Sequence, residues 1–231
     1  MGAAAGLALI AALGGCDFSV SIGNNAAADT SGAGDANRAP LRHFANRRDN
    51  ARAPSLRDHY VDFSFDYPSH WSVTPQPVGA AQNYVRVAAP MIDGYEPFAF
   101  HVGAAWGAGD GARDQAEIEA AIPDLAERLG RNFQNYRLAS TGPERVGGYD
   151  SQGWRFTGTA PGVRDQPPVQ IYGRVDIILP PGATGGVMLI TLATSRNREI
   201  GRVEEVGETG TLKALFDSFR LGTSGGASAN K

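Results

Sequence analysis

The chain has 231 residues, 19% of them charged, a formal net charge of -3 and one cysteine. This length supports the core of one domain and not of two large ones. The near balance of charge excludes a globally basic nucleic-acid binder, and a single cysteine excludes both an internal disulfide and an all-cysteine zinc cage.

Taken in chain order, residues 3–13 are small, apolar and uncharged. About eleven residues fall short of the roughly 20 that cross a bilayer, and a short apolar run followed by small residues is the layout of a secretory signal peptide. Leu13, Gly14, Gly15 and Cys16 then resemble the lipobox of bacterial lipoproteins. The resemblance implies a signal peptide over residues 1–15, cleavage between Gly15 and Cys16, and membrane lipid attached through the Cys16 thiol. It also implies a bacterial cell-envelope location, membrane-anchored and facing the periplasm. Two or more acyl chains anchor stably where one holds weakly. The stretch departs from the usual pattern in carrying no Lys or Arg before the apolar run, and its other reading is a hydrophobic terminus with a buried thiol. Asp17 resembles the inner-membrane retention signal of enterobacterial lipoproteins, a rule that does not hold across all bacteria, so inner and outer membrane both stay open.

Residues 16–59 read as the lipidated cysteine followed by a disordered tether, because Ala, Asn, Asp, Gly and Ser dominate and no apolar period persists. As a flexible chain it would reach on the order of 36 Å. Across residues 38–59, Arg38, Arg42, Arg47, Arg48, Arg52 and Arg57 stand against Asp49 and Asp58, a local +4. Cations beside a lipid anchor contact anionic headgroups at about 1 kcal/mol each, which makes Arg42, Arg47, Arg48 and Arg52 candidate membrane-surface contacts. A solvated spacer is the alternative.

The pattern changes at residue 60 and holds to residue 221, with a flexible tail over residues 222–231. HYVDFSFDYPSHWSV alternates apolar and polar residues into a Pro-Ser turn, and NYVRVAA and EPFAFHVGAA alternate in the same way. Alternation implies an antiparallel sheet with one wetter face. Over residues 113–133, Ile118, Ala121, Ile122, Leu125, Leu129 and Phe133 form one helical stripe, which Pro123 should kink or split into two abutting helices. Gly147-Gly148 and PPGATGG mark two hairpins and hence four further strands. Leu212, Leu215, Phe216 and Phe219 close the domain as a helix over residues 209–219. The expected class is α+β, a mostly antiparallel sheet flanked by helices as an αβα sandwich.

The opening FSFDYPSHW, the long middle helix, the V-G-G-Y hairpin and the closing LKALFDSFRL together resemble the PsbP-like fold. That resemblance implies docking onto other proteins and a family not known chiefly for enzymes.

Constellations for chemistry are sparse. Gly107, Gly109 and Ala112 spell G-x-G-x-x-A before the helix, the spacing of a dinucleotide loop. The preceding strand alternates, and Asp110 would set an acid beside a pyrophosphate, so a plain glycine-rich loop is expected and no cofactor. Residues 148–153 miss the serine elbow by one place, and no P-loop or H-E-x-x-H occurs. Asp58 with His59, or Asp62 and Asp66 near His70, are the only metal-like groupings; divalent metals are associated with some PsbP relatives, but these positions match no ligand motif, and no metal is expected. Among the aromatics, Trp71 and Trp154 are expected in the core, and Tyr95 and Trp106, set in Gly-rich sequence, as exposed partner contacts. The functional expectation is a non-catalytic envelope lipoprotein, not an enzyme, whose domain binds or scaffolds a protein partner and no nucleic acid. Two alternatives are a small-molecule- or metal-binding enzyme using Asp62, Asp66, Asp150 or Asp176 in a sheet/helix cleft, and a chaperone-like holder of hydrophobic segments.

Overall fold

The computed structural model describes residues 39–47, 60–75, 83–161 and 167–222. Cys16, Gly15, Arg48, Arg52 and the tail beyond residue 222 lie outside the described residues.

Two antiparallel sheets and two helices make an α+β domain. The smaller sheet joins β1 (Leu41–Asn46), β2 (Phe63–Pro68) and β10 (Arg220–Leu221), with β2 in the middle. The larger holds seven strands in the order β3, β4, β5, β9, β8, β7, β6. These are Ser72–Pro75, Asn83–Ala88, Phe98–Trp106, Gly185–Thr194, Val169–Ile178, Tyr149–Ala160 and Gln134–Val146. Both expected hairpins are present. Gly147 and Gly148 turn β6 into β7 with φ of +56° and +90°, the positive backbone angles of a tight hairpin. A side chain at Gly147 would also strike the carbonyl oxygen of Phe219.

The central strands of the seven-stranded sheet are covered on both faces, not on one, while the edge strand β6 stays largely exposed. Helix α1 (Gly111–Gly130) lays Ile118, Ile122, Leu125 and Leu129 on one face, against Trp154, Phe156, Val175 and Ile190. Helix α2 (Gly210–Ser218) and the small sheet cover the other face, with Phe63, Phe65, Phe216 and Phe219 meeting Tyr84, Phe100 and Val102. This corrects the expected wet face for the centre of the sheet: in β9 every residue from Gly186 to Thr194 is buried, and a strand covered on both sides is apolar nearly throughout, as VMLITLAT is. Helix α1 is also continuous through Pro123. Pro123 is exposed, so the carbonyl left without a donor faces the solvent side of the helix.

Part of the expected tether is sheet. Leu41 to Asn46 pair with Pro68 to Phe63, and the Phe44 ring lies 5.2 Å from that of Phe65. Asn46 is buried, donates to the Val61 carbonyl at 3.0 Å and accepts from the Tyr60 hydroxyl at 2.5 Å. Strand β1 is too short to signal itself; its partner β2 and the ring of Phe44 hold it.

Candidate functional site

The densest polar cluster lies inside the domain, between the sheet and the turn leading into α2. Arg155 on β7 and Arg174 on β8 stand directly opposite each other, a like-charge pair that is unfavourable without counter-ions. Asp176, two residues along β8, points to the same side as Arg174. The Arg174 guanidinium grips it with Nε and Nη2, both at 2.9 Å. The Ser151 hydroxyl donates to the same carboxylate at 3.0 Å. The remaining Arg174 donors reach Glu208 at 2.5 Å and the carbonyls of Arg145 at 3.0 Å and Val206 at 3.4 Å. Its plane stacks over Phe216 at 4.8 Å.

Arg155 grips Glu144 at 2.7 and 3.1 Å, reaches Glu208 at 3.0 Å, and donates to the carbonyls of Val203, Glu204 and Val206 at 3.0 to 3.1 Å. Burial pushes the Asp176 carboxyl above the usual carboxylate range, and its bonds from Arg174 and Ser151 pull it back. Glu144 is held below that range by Arg155 and Arg174 despite its partial burial. The two arginines therefore clamp the 3₁₀ turn Val203–Glu205 and the start of α2 onto the sheet, with every donor of Arg174 engaged. Sequence reasoning overlooked this cluster, although R-V-D inside an apolar strand was a signal: residues two apart share a face, and a charge within such a strand needs a partner there.

The glycine-rich loop has a physical reason not to hold a phosphate. Asp110 caps α1 by accepting from the Arg113 amide at 3.3 Å. Asp114, buried, accepts from the amides of Ala108 and Gly109 at 2.8 and 2.9 Å. The backbone donors that would cradle an anion already hold the chain's own carboxylate.

The four carboxylates considered for acid–base chemistry do not share a site. Asp66 pairs with His43 at 2.8 Å, Asp150 with Arg145 at 3.4 Å at the surface, and Asp176 with Arg174; the main-chain carbonyl of Asp62 accepts from Gly222. Among the described residues no group of three or more His, Cys, Asp or Glu side chains is placed to hold a metal. His101 on β5 faces Arg86 across the β4–β5 ladder, and Arg86 pairs with Glu96. Burial, with the neighbouring Arg86 charge, lowers the His101 pKa to about 3, so the imidazole is neutral at physiological pH.

Of the two expected surface contacts, Tyr95 needs correction and Trp106 is partly exposed. Tyr95 has no exposed area: its hydroxyl lies 3.1 Å from the carbonyl oxygens of both Pro161 and Pro167, and Arg196 sits over its ring at 5.8 Å. Trp106 is half-buried and packs against the core facing α2. What the Gly-rich sequence around Tyr95 presents instead is the neighbouring tip. Asp93 and Gly94, with φ of +51° and +80°, form a tight turn closed by reciprocal bonds between Ile92 and Tyr95, leaving Met91 and Ile92 outside. Of the tether arginines within the described residues, Arg42 is exposed on β1 and Arg47 just after it. Trp71 and Trp154, expected in the core, are buried.

Neither a family model nor a curated protein matches the sequence. Among solved structures the chain is similar to the cyanobacterial PsbP of Synechocystis, with a TM-score of 0.49 and 11% identity over 84% of this chain and 98% of that one. It is also similar to LpqN of Mycobacterium tuberculosis, a protein involved in cell envelope biogenesis, with a TM-score of 0.43 and 13% identity over 78% of this chain and 91% of that one. A PsbP protein thus stands among the structural neighbours, as the sequence pattern implied, and the likeness is one of fold.

Proposed function

We propose that the chain is a membrane-tethered, non-catalytic binding module of the bacterial cell envelope, holding a protein partner close to the membrane. The observation that carries this reading is the state of the polar interior. The buried charges of Arg155, Arg174, Asp176 and Asp114 are all engaged with partners inside the fold, whereas acid–base or nucleophilic catalysis calls for a group left free to meet substrate. The apolar leader and Cys16 supply the attachment. No helix among the described residues is long and apolar enough to cross a membrane, which fits attachment by lipid.

The test is membrane fractionation of wild type beside Cys16→Ser, followed by chemical crosslinking and affinity capture of the full chain from intact envelopes at low salt. The expected result is loss of firm membrane association in Cys16→Ser and a reproducible crosslinked protein for wild type. A mutant that stays as firmly bound overturns the lipid anchor. A capture that recovers nothing reproducible overturns the partner.

A further inference from the structure

The strand registers bring several segments to one end of the domain. Strand β2 runs toward this end and finishes at Pro68, opposite Leu41, where the Pro40 carbonyl accepts from the Ser69 amide. Strand β4 finishes there too, since Ala88 pairs with Ser72 just after the same turn, and the Trp71 and Phe98 rings stack at 5.7 Å. The Met91–Ile92 tip projects beyond. From the neighbouring strands, Thr194 bonds to Pro97, and Arg196 reaches Asp93 at 3.7 Å. This pole is therefore formed by the start of β1, the β4–β5 turn and the loop after β9.

Its surface is unlike the rest. Four large apolar residues are exposed among the described residues, and three of them, Leu41 at 60%, Met91 at 39% and Ile92 at 46%, fall at this end. The tip is held rigid by the Ile92–Tyr95 bonds and by the anchoring of Tyr95 from beneath, so the exposure of its apolar side chains is built in. Arg42 and Arg198 are exposed at the same end. The segment that carries the apolar leader and Cys16 joins the domain at Ala39, also at this pole.

From this placement we infer that the pole is the membrane-docking face of the domain, with Leu41, Met91 and Ile92 entering the interface of an anionic bilayer while Arg42 and Arg198 meet its headgroups. The inference rests on the lipid-anchor reading, which puts the bilayer on this side; it adds an orientation that a flexible tether alone would not impose. Apolar side chains flanked by cations are the chemistry of interfacial binding. Docking through this end leaves the far ends of the strands, with the turns at Gly147–Gly148 and Pro181–Gly182, turned away from the membrane, free for a partner.

The experiment uses the acylated full-length protein, purified and reconstituted alone into vesicles containing a minority of anionic lipid. Ile92→Cys and Asp150→Cys each receive an environment-sensitive fluorophore. Asp150 lies beside the Gly147–Gly148 turn at the opposite end of the strands, and its side chain is 94% exposed. The expected result is a blue-shifted label at position 92 with at least about a threefold loss of quenching by aqueous iodide, and an unchanged label at position 150. Equal quenching at both positions overturns the docking face. So does protection at position 92 that grows with protein density at fixed lipid, which would mean a second copy. Failure of the anchor shows separately, as Cys16→Ser remaining membrane-bound in the fractionation. Met91→Ser with Ile92→Ser should remove the protection of a label at Leu41→Cys without changing the thermal midpoint.

Discussion

The clamp around Arg174 and the pole around Ile92 reverse the usual placement of side chains. In the clamp, Arg174 and Asp176 are fully buried and Arg155 nearly so, satisfied by one another, by Glu144 and Glu208 and by carbonyls of the turn before α2. At the pole, large apolar residues are held out in solvent by a rigid turn. A buried ion pair rarely gains stability over a well-packed apolar substitute, but losing one partner costs much, because the other is left charged and alone. An exposed isoleucine costs little in stability and contributes nothing to folding. The clamp therefore reads as architecture, and the pole as surface kept for contact.

The largest expected effect comes from breaking the clamp. Asp176→Ala should destabilise the fold by about 3–5 kcal/mol in urea unfolding by stripping Arg174 of its one fully buried counter-ion and leaving only the more exposed Glu144 and Glu208, whereas replacing Arg174 and Asp176 together by methionine and leucine should recover most of that loss. Next, Gly147→Ala should cost about 1–3 kcal/mol through its positive φ, beyond which the clash with Phe219 adds strain at the end of α2. A smaller effect tests a third polar position, outside the clamp. His101 has a folded pKa of about 3, below its unfolded value, so the unfolded chain takes up the proton first and stability falls as pH drops from 6.5 toward 3. Glu144, whose pKa is lowered, adds to this loss below its ordinary range, and Asp176, whose pKa is raised, opposes it. Comparing wild type with His101→Gln isolates the histidine: between pH 7 and pH 5 the wild type should lose about 1–2 kcal/mol more. The smallest effect is at the pole, where Ile92→Ser should change stability by no more than about 0.5 kcal/mol; a larger loss would make the tip part of the core and erase the contrast.

The sequence made the local structure legible and left the long-range parts hidden. Helix α1 announced itself through the stripe of Ile118, Ile122, Leu125 and Leu129, and the β6–β7 hairpin through Gly147-Gly148, since both signals are contained in neighbouring residues. Strand β1 did not, because six residues in polar surroundings become a strand only when β2 and Phe65 supply the pairing and the ring contact. Tyr95 was misplaced for a related reason. Its flanking Gly and Pro describe a surface turn correctly, but the carbonyls of Pro161 and Pro167 that draw the ring inward come from more than 60 residues away. The clamp was missed because Arg155 and Arg174 meet Glu144 and Glu208 across four segments, and only R-V-D lies within one strand.

Strand β1 has a mechanical consequence. The segment arriving at Ala39 runs directly into six residues paired with β2, and β2 is gripped on its other side by β10. A load arriving from the pole acts along the strand axis, so it is shared by the whole ladder in shear and does not open the pairs one at a time. The small sheet then takes such a load before it reaches the seven-stranded sheet. Force spectroscopy through Ala39 and Asp150 should show a single cooperative rupture and no preceding low-force slip.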